Sequence, residues 1–184
     1  MIIRMNALSS IYLSTTVSSD KIIEFLQYQH KTTNIIMLET PEQAFQHRLL
    51  MRLLPFTGGS IIDAMHRFIQ MEVLLVLTPG LLCILQGDEY MEQAPMSVIP
   101  PPITLATSVG VIHDGVWTSK GPNFGQYQAL QTLLTIRRQW KLFQQHNFSV
   151  FYEEKDKGIL CLFLDSDPFL LVIFHTTSKV SEMP

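Results

Sequence analysis

Hydrophobic and polar positions change their period along the chain and divide it into two zones. In the first, from Met1 to about Lys141, strand and helix patterns alternate. Asp20 stands where a helix cap is favoured, and Ile22, Phe25 and Leu26 then share one side of a predicted helix over Lys21–Gln29. The polar run Lys31-Thr32-Thr33-Asn34 precedes a short apolar strand, Ile35–Leu38, and a polar segment leads on to Gly58-Gly59-Ser60. Ser60 is a good N-cap for a helix whose Ile61, Ile62, Met65, Phe68, Ile69 and Val73 recur every three or four residues. Thr78-Pro79-Gly80 stops that helix, and Leu81–Leu85 reads as a buried strand. After a proline-rich loop containing Pro100-Pro101-Pro102 comes a helix over about Gly125–Lys141, with Tyr127, Leu130, Leu134 and Trp140 as its apolar face. The grammar is that of parallel βα units. The second zone, Phe148–Pro184, carries three strand-like runs, Phe148–Tyr152, Ile159–Leu164 and Phe169–Phe174. Turn chemistry at Lys155-Asp156-Lys157-Gly158 and Asp165-Ser166-Asp167-Pro168 separates them, so a small antiparallel sheet is expected. The N-terminal stretch has one Arg4 and an apolar run broken by Asn6, Ser9 and Ser10, and reads as a strand or loop entering a domain rather than as a signal peptide.

Composition narrows the function classes. The 184 residues are 47% hydrophobic and only 16% charged, which excludes a disordered tail. A formal net charge of -3 argues against a nucleic-acid partner held by a basic surface. The charge deficit points to a surface that something else covers. Cys83 and Cys161 lie in apolar runs and are expected to be buried thiols. The six histidines and two cysteines show no metal-ligand spacing, so neither metal nor cofactor is expected. The apolar stretch Val73–Leu85 is broken at Thr78-Pro79-Gly80 and flanked by Glu72 and Asp88, too short for a membrane span. Asn147-Phe148-Ser149 fits a glycosylation acceptor and agrees with a secreted or extracellular setting.

Several of these segments stand in a familiar order. Leu74-Leu75-Val76-Leu77-Thr78-Pro79-Gly80 followed by Leu81-Leu82-Cys83-Ile84-Leu85-Gln86-Gly87-Asp88-Glu89 resembles the end of the seventh barrel helix and the eighth strand of the α-amylase superfamily, glycoside hydrolase family 13. Tyr127–Trp140, with Arg137-Arg138, is similar to that family's eighth helix, and Phe148–Phe174 to the first strands of its C-terminal β-domain. The resemblance covers Ile35–Thr177. It implies an α/β fold: the last βα units of a (β/α)8 TIM barrel over residues 1–145, then part of an antiparallel β C-domain over 146–184.

The same resemblance implies retaining glycoside hydrolysis, which needs two carboxyl groups about 5–5.5 Å apart. A third family carboxylate follows a histidine in an Asn-His-Asp motif at the end of strand seven. Here that place falls on Met37-Leu38-Glu39, so Glu39 becomes a degenerate counterpart, with leucine in place of the sugar-binding histidine. The nucleophile and acid/base belong upstream, yet only 38 residues precede Glu39 and none forms the Arg-x-Asp strand end. The catalytic pair is therefore missing. Asp88 and Glu89, at the end of a barrel strand, are expected to frame the substrate pocket. Glu24, Asp63 and Glu72 are expected to be ordinary solvated or paired helix residues, His113-Asp114 a surface loop, and His47 and His66 packing or solvent residues. Ser60 has no catalytic histidine and acid to pair with, and Gly58-Gly59 is too short for a phosphate loop.

Two function classes follow. One is a non-catalytic amylase-like domain of the kind in heavy subunits of heteromeric amino-acid transporters, partnered by a transporter light subunit at the extracellular face of the plasma membrane. The other is a fragment of an α-glucan hydrolase or transglycosylase, partnered by the missing barrel portion. Either way about two βα units cannot close a barrel, so open strand edges beside bare apolar helix faces are expected.

Overall fold

Among the described residues the chain forms two three-stranded sheets, one parallel and one antiparallel. The structure is a computed structural model and describes residues 5–7, 9–14, 16–29, 35–85, 87–91, 124–141, 147–165 and 170–176. The triple proline and His113-Asp114 lie outside them.

In the first sheet, β1 (Met5–Ala7), β2 (Ile35–Met37) and β3 (Leu81–Cys83) lie side by side in that order, both pairs parallel. Ile35 pairs with Met5 on one side and Leu81 on the other. The β3 strand is two residues shorter than the apolar run predicts, because Ile84 and Leu85 already belong to the turn toward Asp88. Leu81, on the outer edge, is 63% exposed, so one expected open edge is present.

Between strands run short α1 (Ser9–Tyr12), α2 (Ser19–Gln29), α3 (Pro41–Gln46), α4 (Leu49–Leu53) and the long α5 (Ile61–Leu77). The α2 helix begins one residue before the predicted cap; Asp20 sits in its first turn, where a carboxylate favours the positive helix end, and pairs with Lys155 Nζ at 2.8 Å. Residues 41–57, read from sequence as a polar segment, fold instead into α3, α4 and a 3-10 turn over Leu54–Thr57. Ser60 caps α5 as expected, accepting from the Asp63 N–H at 3.2 Å. The α5 apolar face is not bare: Ala64, Phe68, Met71, Leu74 and Leu75 are all buried. No helix among the described residues is long and apolar enough to cross a membrane.

Helix α6 (Phe124–Gln139) packs on α5. Beyond it, β4 (Asn147–Glu154), β5 (Ile159–Asp165) and β6 (Leu170–His175) form an antiparallel meander, as the period-two runs predict. Gly158, at φ 67°, takes the left-handed position that lets the β4–β5 turn close. A bulge between Val150 and Tyr152 leaves Phe151 unpaired and 71% exposed. On the inner face, Leu160, Leu162, Leu164 and Phe174 join Ile22, Leu26, Ile36 and Phe68 in one core that runs across both sheets. Gln70 Nε2 of α5 donates to the His175 carbonyl, tying the second sheet to α5.

Candidate functional site

The ends of β2 and β3 point the same way because the strands are parallel, and each delivers a carboxylate. After β2 the chain runs through Leu38 and Glu39 to Thr40, which caps α3 reciprocally: its hydroxyl accepts from the Gln43 N–H, and Gln43 Oε1 accepts from the Thr40 N–H at 3.0 Å. That capping box fixes the direction of the chain leaving Glu39. After β3, Gly87 adopts φ 107°, and the Asp88 N–H donates to the Leu85 carbonyl at 3.0 Å. A side chain at position 87 would strain this turn, which aims Asp88 inward.

Arg48 joins the two carboxylates. It is extended at the start of α4, and its guanidinium places Nε 3.2 Å from Glu39 Oε1 and Nη2 2.7 Å from Asp88 Oδ1. Arg52, one turn further on, brings Nη1 to 3.7 Å from Glu39 Oε2. Glu39, Arg48 and Asp88 are buried to 0–1% exposure. Burial pushes the Glu39 carboxyl upward, opposed chiefly by the Arg48 charge. Burial and then the Glu39 charge raise Asp88 to about 8, again against Arg48. Burial thus favours a proton on the Glu39–Asp88 pair, and Arg48 opposes it.

A third acid lies close by. Glu72, on α5, is fully buried and accepts a hydrogen bond from Gln126 of α6. Burial raises it to about 8, with the Asp88 charge adding to the shift. The expectation that Glu72 is an ordinary helix residue holds only in that it is paired; it is not solvated. Glu24 and the two histidines are exposed, and Asp63 is half-buried near Arg67. Glu89 has a partner of its own: its Oε2 accepts from the Gly87 N–H at 2.7 Å, and it lines a cavity of about 440 Å³ with Ile84, Tyr127, Leu130, Leu134 and Arg138. Cys161 is buried and Cys83 half-buried, both as free thiols. Among the described residues no cluster of histidine, cysteine and acid side chains is placed to hold a metal ion.

Sequence reasoning singled out Glu39, Asp88 and Glu89, and the structure brings the first two together. It missed Arg48, Arg52 and Gln126. The available signal was chemical: two carboxylates destined for strand ends need a cation once buried. Arg137 also has a defined place. Its guanidinium donates to the carbonyls of Val76 at 2.6 Å, Thr78 at 2.7 Å and Gly80 at 2.7 Å, closing the C-terminus of α5 and the turn into β3.

No family model and no curated protein matches the chain. Solved structures do. An Anoxybacillus α-amylase, described as giving insight into a new glycosyl hydrolase subclass, superposes with a TM-score of 0.64 at 12% identity over 93% of this chain and 34% of its own. A glutamate-to-glutamine variant of AmyP in complex with maltotriose gives 0.61 at 12% identity over 93% of this chain and 38% of its own. The chain therefore spans between a third and two fifths of the length of these structures. At that identity the likeness is one of fold: a mixed helix and strand arrangement with a small antiparallel sheet, related to that of α-amylase glycoside hydrolases.

Proposed function

We propose that this chain is an amylase-fold domain that does not cleave glycosidic bonds by itself. In this reading residues 1–145 are the last βα units of a barrel and residues 146–184 the start of its C-terminal β-domain. Glu39 takes the place of the third family carboxylate, and Asp88 and Glu89 frame what was the pocket. The observation that carries the reading is the Arg48 guanidinium held between Glu39 and Asp88, all three sealed from solvent. Retaining hydrolysis requires two carboxyls to approach opposite faces of a sugar about 5–5.5 Å apart. Neither Glu39 nor Asp88 stands in the place of that pair, and Arg48 engages both, so a sugar reaching either carboxylate would have to displace a buried ion pair. Such a domain would act through contacts, in the manner of transporter heavy subunits that present an amylase-like ectodomain to a light subunit at the cell surface.

A second reading has its own support: the chain spans only 34–38% of the amylases it resembles. Under it, the residues described here are one part of an α-glucan hydrolase or transglycosylase whose nucleophile and acid/base lie on a separate barrel portion.

Incubation of the purified chain with a chromogenic maltoside tests the first reading. The expected result is release no faster than in buffer. A clear rate that Glu39→Gln abolishes would overturn it.

A further inference from the structure

Asn147-Phe148-Ser149 is the chain's single Asn-x-Ser/Thr sequence; Asn6, Asn34 and Asn123 are not followed by the required hydroxyl residue. The structure sets this triplet at the start of β4, an edge strand of the antiparallel sheet. Alternation along the strand gives its residues different tasks. Phe148 packs against the core, whereas Asn147 and Ser149 are both exposed on the opposite face.

That outer face is apolar. Asn147 pairs with Asp165, and the next row places Ser149 beside Phe163 and Leu171, about 7 Å further along the strand. The row beyond joins Tyr152, Cys161 and Ile173. Tyr152, Leu171 and Ile173 are 40%, 48% and 51% exposed and stand on adjacent rows of that face, so it presents apolar side chains to solvent. The sheet's β4 edge is also unpaired among the described residues.

We propose that Asn147 is an acceptor for an N-linked glycan, and that the sugar shields the outer face of the antiparallel sheet. In the modification the Asn147 amide nitrogen bonds to the anomeric carbon of a lipid-pyrophosphate-linked oligosaccharide. The bond from that carbon to the phosphate oxygen breaks, the lipid pyrophosphate leaves with the electron pair, and the amide proton passes to a base of the transferase. The proposal does not depend on whether the domain cleaves sugars.

The test is translation of the full chain behind a cleavable secretory leader, with endoplasmic-reticulum microsomes present. This readout does not require the variants to fold. Wild type and Ser149→Thr are expected to show a slower band that peptide N-glycosidase removes, and Asn147→Gln and Ser149→Ala only the unshifted band. A single unshifted, protease-protected band for wild type and Ser149→Thr would overturn the assignment, as would a removable shift that survives Asn147→Gln. Shielding is read separately on the purified glycoprotein. Native deglycosylation is expected to raise the fluorescence of an apolar-surface dye by about twofold or more. Unchanged fluorescence would overturn the shielding.

Discussion

Replacing Arg48 by methionine removes the one cation that touches both strand-end carboxylates while keeping a side chain of similar reach. The damage is expected to fall unevenly. Glu39 retains Arg52 at 3.7 Å, but Asp88 loses its 2.7 Å partner and keeps no other cation within ion-pair distance among the described residues. Breaking a fully ionised buried pair from one side costs about 3–5 kcal/mol. With Asp88 raised to about 8, and so half-protonated near pH 8, the loss here is expected to be smaller, about 1–3 kcal/mol. For a chain of this size that corresponds to a fall in Tm of roughly 2–12 °C. The loss should depend on pH, because Asp88 can take up a proton and cease to be a buried charge. Thermal unfolding followed by circular dichroism is expected to show most of the loss near pH 8 and much less near pH 5. Adding Asp88→Asn to Arg48→Met should restore more stability than adding Glu39→Gln. A Tm for Arg48→Met within about 2 °C of wild type near pH 8, or an equal fall at both pH values, would refute the reasoning.

Two further outcomes follow from the buried groups. Asp88 and Glu72 have folded pKa values of about 8, raised from ordinary values of 3.8 and 4.5. The folded state therefore holds protons that the unfolded state releases. Their contribution is full below about pH 4, is lost as pH climbs, and changes no further beyond about pH 8, with a slope of up to about 1.4 kcal/mol per pH unit for each group. Asp88→Asn and Glu72→Gln should each flatten the fall in urea-unfolding midpoint over that window; a midpoint that rises with pH in the wild type would contradict the sign. Arg137→Met strips three carbonyls of their donor at the end of α5 and should destabilise by about 3 kcal/mol, with Arg137→Lys recovering only part because an ammonium cannot present the planar fork. Equal stability of Arg137→Lys and wild type in urea unfolding would count against that role.

The parts of this fold that were legible in sequence are those whose pattern runs for more than one period. The 17-residue α5 shows its apolar stripe and its Ser60 cap, and the three C-terminal strands show alternation bounded by turn residues such as Gly158. Residues 41–57 were not legible, since α3 has six residues and α4 five. Leu49, Leu50 and Leu53 cover barely one turn, too little to display a helical period. Within the site, the chain order of Glu39 and Asp88 and their placement at strand ends could be read. Their meeting through Arg48 could not, because the contact between residues 48 and 88 spans 40 positions and arises only when parallel strands set both ends on one side. Burial of Glu72 was hidden for a related reason: a glutamate on a helix reads as solvent-facing until the helix packing over it, here α6 with Gln126, is known.

The central claim is that Arg48 locks Glu39 and Asp88 into one buried, ion-paired cluster that a sugar would have to break. The most direct measurement is a crystal structure of the chain soaked with maltotriose at high concentration. The account predicts Arg48 still bridging the two carboxylates, with no sugar hydroxyl bonded to either. A maltotriose unit hydrogen-bonded to Glu39 or Asp88, with the Arg48 side chain swung out, would contradict it.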